Sequence, residues 1–345
     1  MKLVIYGTKA AMRALKTLGL AVVTIASGVA HAAVITPPLQ QPYGSIWPEQ
    51  SAINQTGPVK LQPPPADRSA ECDLQCLSSL MDRYLNALAR RDYTGLPVSP
   101  NLLVAENGHA TRIGDDVWKV LEKIDPKPTY IADPVNGQII SIGTIEESAH
   151  QPFIFIVRLK VENRLISEVE TMVTSDLIAA QHFRPDNLAN FDPVALAVLP
   201  VEQRLSRSQL IADANQVVFG GDLKLTAAKD CVHSENGDHL VLFGPCGTVG
   251  EAARTDGSGL VYDNRAVRHV IVDEARGLVI SYMLKDTNPY LNPNPPDNER
   301  TPLFYQRPLT LYVLQIAKFK TGNVLAAHEL FMNAQEAGLP AVFIP

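Results

Sequence analysis

Polar and apolar positions along this chain form two patterned stretches with an irregular one between them. Leu74, Leu77, Met81, Tyr84, Leu85 and Leu88 recur at steps of three and four up to Arg90-Arg91-Asp92, with Ser69 as a candidate N-cap. That period predicts an amphipathic helix. Residues 102–105 read as a short strand running into Glu106-Asn107-Gly108, and 115–122 as a short helix. Residues 130–133, 138–146, 153–161 and 165–173 read as strands, with turns at 134–137 and around Asn163. A helix followed by an antiparallel sheet is an α+β unit. Regularity is lost over 174–205, which holds Pro185, Pro193 and Pro200 and marks a domain boundary.

The pattern then restarts. Ser206 with Gln209 forms a capping box, and Leu210, Ile211, Ala214, Val217 and Val218 give a helical apolar face. Residues 231–234 lead into Glu235-Asn236-Gly237, residues 267–273 pair with 278–284, and 309–319 pair with 324–332. The return of Glu-Asn-Gly in the same setting points to an internal duplication.

Composition places the chain in a compartment. Lys2, Lys9, Arg13 and Lys16 precede a short apolar run over 18–30 and the small-x-small triplet Ala30-His31-Ala32, the form of a secretory signal, 1–32. The run is too short for a membrane span, and no later stretch reaches the roughly 18 apolar residues that a span needs. Export, to a periplasm or the medium, is the expectation. Removing those four cations from 30 leaves 26 Lys and Arg against 36 Asp and Glu. That acidic balance argues against a nucleic-acid partner. Residues 33–66, rich in Pro and Gln and including Pro63-Pro64-Pro65, read as an extended arm.

Four cysteines in an exported chain are expected to pair, and four allow three connectivities. Local bridges, Cys72 with Cys76 and Cys231 with Cys246, are favoured because the first pair is one helical turn apart and the second flanks a predicted hairpin. Two Cys-x3-Cys ligands alone make a poor zinc site, so no metal is expected.

Cys72-Asp73-Leu74-Gln75-Cys76, Tyr84-Leu85-Asn86-Ala87-Leu88, Glu106-Asn107-Gly108, Gly114-Asp115-Asp116-Val117-Trp118, Arg158-Leu159-Lys160-Val161-Glu162-Asn163 and Ile166-Ser167-Glu168-Val169-Glu170 together carry a likeness. On these motifs, residues 72–174 resemble exported fungal and bacterial proteins of unknown activity related to the SnoaL-like, or nuclear transport factor 2-like, cone-shaped fold. The second half resembles them more loosely, with longer segments at 238–261 and 286–308. The resemblance implies two tandem cystatin-like α+β cones, 67–174 and 206–345, joined by a linker over 175–205, each with helices packed on a curled antiparallel sheet. It also implies an apolar pocket in which an Asp, Glu or His acts as acid or base without a cofactor. A carboxylate in such a pocket has its charged form destabilised, which moves its pKa toward the range of proton transfer. The fold hosts many reactions and plain binders, so the reaction rests on the site.

Candidate residues follow from strand alternation and from setting one half against the other. With Asn163-Arg164 as a two-residue turn, the face holding Phe155, Val157 and Leu159 also holds Glu168 and Glu170, and would be the cavity face. A slip of one residue sends both acids to solvent. Glu106 and Glu235 have two readings: acceptors for backbone N–H groups in the turns they begin, or a duplicated role in two pockets. His233 stands where the first half has Val104 and two residues before Glu235, hence on one strand face; His328 stands where the first half has Val169. His269 opens a strand next to Arg265 and Arg268. The sharp expectation is a site in the second half with His233 or Glu235 as base and His328 orienting or donating. Tyr290 and Tyr305 lie in a proline-rich loop, 286–308, placed to cover a small hydrophobic or aromatic ligand. The activity so expected is that of a lyase or isomerase moving a proton. The rivals are a non-catalytic binding protein for such molecules and an interaction module. No Gly-x-Ser-x-Gly elbow, phosphate-cradling loop or His-Glu-x-x-His appears.

Overall fold

The computed structural model describes residues 71–125, 127–147, 152–175, 183–190, 193–219, 226–239, 262–287, 308–322, 324–336 and 339. All fall within one compact unit, Pro58–Pro345. The predicted signal segment 1–32 and the arm 33–66 lie outside the described residues. The chain is mixed α and β, mostly sheet, with two sheets and few helices among the described residues.

Helix α1 (Leu74–Arg90) starts at Asp73, not Ser69; the Asp73 carboxylate accepts the Cys76 backbone N–H at 2.9 Å. A disulfide joins Cys72 to Cys76, with Cα atoms 5.2 Å apart, and so staples the helix start. The helix ends at Arg91 in the left-handed region, φ 54°. Its Leu77, Leu80, Met81, Tyr84, Leu85 and Leu88 are buried against one face of the first sheet, each stabilising the fold by roughly 1.5–3 kcal/mol. That sheet contains β1 (Val98–Glu106), β2 (His109–Thr111), β3 (Leu121–Ile124), β4 (Thr129–Asp133), β5 (Gln138–Glu147), β6 (Pro152–Glu162) and β7 (Leu165–Thr174). Its order is β2-β1-β7-β6-β5-β3, with β4 also on β5 and β1 parallel to β7. The short helix α2 (Val117–Val120) sits between β2 and β3.

Helix α3 (Pro193–Leu196) and two turns of 3-10 helix occupy the irregular stretch, and helix α4 (Arg207–Phe219) opens the second half. Gln209 accepts the Ser206 backbone N–H at 3.1 Å and its hydroxyl at 2.8 Å, so the predicted capping residues meet. The second sheet contains β8 (Thr226–Glu235), β9 (Asp238–His239), β10 (Tyr262–Asp273), β11 (Leu278–Thr287), β12 (Leu309–Lys320) and β13 (Val324–Glu336), in the order β10-β11-β12-β13-β8-β9. Here β8 runs parallel to β13 as β1 does to β7. Apart from β3, which has no counterpart among the described residues, both sheets have the same connectivity: an Asn-Gly hairpin first, three antiparallel strands later, and a last strand that returns to lie parallel to the first.

The two sheets pack face to face. Ile131, Ile140, Ile142, Ile154, Ile156 and Met172 share one core with Val270, Ile280, Leu314, Ile316 and Phe331. Residues of the irregular stretch enter the same core through Leu188 and Ala195. The carbonyls of Ala195 and Ala197 hold the buried Lys318 ammonium at 3.1 and 2.5 Å. The described residues of the stretch are thus packed structure.

The β6–β7 hairpin corrects the sequence reading of Glu168 and Glu170. Asn163 and Arg164 form the predicted two-residue turn, both with positive φ (52° and 61°), and Val161 pairs with Ile166 as expected. The register then shifts, because Ser167 is an extra residue on β7, a β-bulge. Beyond it Lys160 pairs with Glu168 and Arg158 with Glu170. Both acids thereby leave the face of Phe155, Val157 and Leu159. Their face is the one that lies between the sheets, where Glu170 is fully buried and Glu168, at its margin, is half-buried.

Candidate functional site

Glu170 is the hub of a buried ion network at that junction. Arg158 Nε donates to it at 2.6 Å, Arg268 Nη2 at 2.7 and 2.8 Å, and the Tyr312 hydroxyl at 2.7 Å. Burial alone would raise the Glu170 pKa, but Arg268 and Arg158 hold it at about 2. Arg158 also donates to Glu168 at 2.7 Å and to Gln138 at 2.7 Å. The Arg268 guanidinium lies 5.4 Å from the centre of the Tyr282 ring, which stacks on Tyr312. Each of these charges is committed to another, so in place of the expected ligand-binding role Glu170 joins the halves, while Glu168 pairs with Arg158 and Lys160 inside the first.

The Glu-Asn-Gly motifs divide their labour between residues. Asn107 and Gly108 take positive φ (50° and 80°), as do Asn236 and Gly237 (45° and 80°), making the hairpin turn in each half. The Asn107 side chain accepts the Val173 N–H at 2.9 Å, and Asn236 accepts the Met332 N–H at 2.8 Å. In both halves the acceptor carbonyl ties the turn to the parallel partner strand. A Cβ on Gly237 would come within 2.4 Å of the Arg184 carbonyl oxygen, so the turn also seats the irregular stretch. The structural task assigned to the glutamates belongs to the asparagines beside them.

Glu106 instead turns under α2. It accepts from the Thr171 hydroxyl at 3.1 Å and the Val117 N–H at 3.4 Å. Burial, with Asp116 adding a like charge, pushes its pKa up to about 7. Above it the first half is filled: Tyr84 is fully buried and Trp118 is 4% exposed, their rings meeting edge-on with centroids 5.5 Å apart.

The second half places different side chains on the matching face. His233 Nε2 lies 3.6 Å from Glu235 Oε1 on β8, and Glu235 is 4% exposed. His328 pairs with His233 across β13 and β8, as Val169 pairs with Val104 in the first half. The level above it runs His269, Ser281, Gln315, Leu330, Glu235 across five strands. Its counterpart in the first sheet is Tyr130, Ser141, Val157, Thr171, Glu106.

His269 sits inside β10 instead of opening it. Its Nδ1 is 2.7 Å from the Ser281 hydroxyl and its Nε2 is 2.9 Å from Asn215 Oδ1 on α4. Because that oxygen only accepts, the proton is assigned to Nε2, and Nδ1 accepts from Ser281. Burial holds its pKa at about 4, so the ring is neutral near pH 7. Tyr130 stands at the same level and donates to Asp82 on α1 at 2.7 Å, so each sheet ties its helix at one corresponding point.

Tyr290, Tyr305 and Cys246 lie outside the described residues; Cys231 is disulfide-bonded. No group of three or more His, Cys, Asp or Glu that could hold a metal ion occurs among the described residues. No helix among them is long and apolar enough to cross a membrane. Gln315 and Asn215 are absent from the sequence-level candidates. The signal that could have found Gln315 is the same subtraction that found the histidines, since the first half has Val157 there.

No family model and no curated protein matches the chain. Solved structures do. A nuclear transport factor 2-like protein of unknown function from Mesorhizobium loti is 13% identical, covers 32% of this chain and 97% of its own, with a TM-score of 0.22. A protein of unknown function with a cystatin-like fold from Methylobium petroleophilum is 12% identical, covers 40% of this chain and 85% of its own, with a TM-score of 0.25. A de novo designed protein with a curved β-sheet is 14% identical, covers 30% of this chain and 89% of its own, with a TM-score of 0.24.

Proposed function

We propose that the chain is an exported pair of tandem nuclear transport factor 2-like cones, in which the second half works as a cofactor-independent lyase or isomerase. It moves a proton on a small hydrophobic or aromatic molecule, and the first half serves as its scaffold. The observation that carries this reading is the meeting of His233 and Glu235, at 3.6 Å on one strand face, level with His328 on the neighbouring strand. An imidazole beside a buried carboxylate is a serviceable base, since the carboxylate stabilises the imidazolium that forms. Space favours the same half. The buried helix positions Leu77, Met81, Tyr84 and Leu85 of α1 correspond by spacing to Leu210, Ala214, Val217 and Val218 of α4, so a Met and a Tyr give way to an Ala and a Val.

The test is a thermal-shift screen of aromatic and terpenoid molecules against wild type and His233→Ala, followed by product analysis of every compound that stabilises. Conversion by the wild type alone supports the enzyme. Compounds bound by both proteins and converted by neither make the chain a binding protein. The absence of any stabilising compound overturns the pocket.

A further inference from the structure

We infer that a cleft on the outer side of α1, at its C-terminal end, binds a hexuronic acid, taken free or as the end of an acidic glycan. The cleft belongs to the first half and does not depend on the proton-transfer reading of the second.

The cleft has a volume of about 380 Å³ and lies between α1 and the loop over 92–96. Helical spacing builds one wall. Arg83, Asn86 and Arg90 follow at steps of three and four, so they share one face of α1, and all three are exposed, away from the buried face that meets the sheet. The loop builds the other wall. Asp92 accepts the Thr94 backbone N–H at 3.0 Å and its hydroxyl at 2.7 Å, which closes the turn. Ala87 and Leu96, both buried, line the cleft between the walls and give it an apolar floor. The second half lacks this set: by the same spacing α4 has Gln216 for Arg83 and Phe219 for Asn86.

Charge decides the ligand. A helix C-terminus carries partial negative charge and by itself repels an anion. Here the carbonyls of Leu88 and Ala87 are taken by the N–H groups of Arg91 and Asp92, at 2.9 and 3.0 Å. The guanidiniums of Arg83 and Arg90 then outweigh the single carboxylate of Asp92, in a chain whose 36 acids outnumber its 30 cations. Arg83 Nη2 donates to the Gly95 carbonyl at 2.9 Å, which holds the guanidinium against the loop and leaves its other N–H groups to donate. Arg90 makes no hydrogen bond or ion pair among the described residues and is available to close on the same anion. A planar guanidinium matches a carboxylate. Acceptors stand beside these donors: Asn86 donates to the Asp82 carbonyl at 2.8 Å, which leaves its Oδ1 to accept, and Thr94 engages only Oδ1 of Asp92. A fitting ligand joins a carboxylate to hydroxyl donors across a small apolar face. A pyranose ring with its carboxylate on C5 has all three.

The experiment follows the Nε–Hε signals of Arg83 and Arg90 and the backbone amides of Thr94 and Gly95 in the ¹⁵N-labelled full chain. The probes are D-glucuronate, D-glucose and acetate at one ionic strength. In the wild type, glucuronate is expected to shift all four signals and glucose none, while acetate binds about fivefold more weakly for want of the hydroxyl bonds. Arg83→Gln, which copies the second half, and Arg90→Gln are each expected to weaken glucuronate binding by about tenfold, the loss of one charge-assisted hydrogen bond. Should Arg83→Gln not fold, Arg90→Gln decides, because Arg90 bonds nothing in the fold that its loss would break. Trigalacturonate separates the two sources: tighter binding than the monomer assigns the end of a glycan, equal binding assigns the free acid, and both uphold the site. Shifts from glucose equal to those from glucuronate overturn the role of charge, and acetate bound as tightly as glucuronate overturns the sugar. No shift with glucuronate, or binding unchanged in the folded variants, overturns the site.

Discussion

The first and second halves have one connectivity and opposite interiors. Where the first has Val104, Val169 and Val157, the second has His233, His328 and Gln315. Where the first covers its glutamate with Tyr84 and Trp118, the second presents its glutamate to an imidazole. Apolar residues in one copy establish that the fold does not need polar ones there. The shared connectivity thus supplies an internal control: polar groups that one half lacks are candidates for function, and polar groups that both halves keep, such as Asn107 and Asn236, are candidates for folding. The comparison also shows where a raised pKa is only a cost of burial. The Glu106 carboxyl pKa is raised by burial, yet it sits in the filled half and is engaged by Thr171 and Val117.

The largest expected effect separates the halves directly. With any compound the protein converts, Glu235→Gln should lower the rate by about 10²–10⁴, the usual contribution of a base assembly, while Glu106→Gln should change it by less than about twofold. Steady-state rates on both variants check this, and equal losses would place the chemistry in both halves or in neither.

Next comes the joint between them. Glu170→Ala leaves Arg158 and Arg268 buried without their shared carboxylate and should cost about 3–5 kcal/mol in urea unfolding. Because the Glu170 pKa falls to about 2 in the fold, its contribution is present above the ordinary carboxylate pKa near 4.5. It is lost as pH falls from there toward 2, so wild type and Glu170→Ala should converge in that range.

His269 and Glu106 should respond to pH in opposite directions. The folded His269 has a pKa lowered to about 4, so the unfolded chain binds more protons, and about 3 kcal/mol of stability should vanish as pH falls from 6.5 to 4. His269→Gln should flatten that slope. For Glu106 the folded pKa is raised to about 7, so stability is full below 4.5 and declines as pH rises through 7. Glu106→Gln should therefore stabilise the protein by about 3 kcal/mol at pH 8 and leave it unchanged at pH 4.5. Unfolding curves across pH read both, and parallel profiles for the two variants would defeat the assignment of opposite signs.

The smallest effect tests the shared part. Asn107→Ala and Asn236→Ala each lose a left-handed turn residue and one buried acceptor, and each should cost about 1–3 kcal/mol by thermal unfolding. Unequal costs would mean that the two turns do not perform one task.

The sequence by itself determined the elements and the recurrence of their order in the two halves. Helical spacing set α1 and α4, alternation with Asn and Gly set the strands and hairpins, and two Glu-Asn-Gly triplets aligned the halves so that His233 and His328 were matched to Val104 and Val169 before their strands were paired. All of that is local, because the period of a segment and the turn residue that ends it are written within about ten positions. What tertiary structure decided is which face meets what. One extra residue, Ser167, reversed the side on which Glu168 and Glu170 stand, and the other sheet, contributed by residues a hundred positions away, turned that side from surface into core. The partners of Glu170 and the neutral His269 depend on strands brought together across the fold, and no short-range pattern records them.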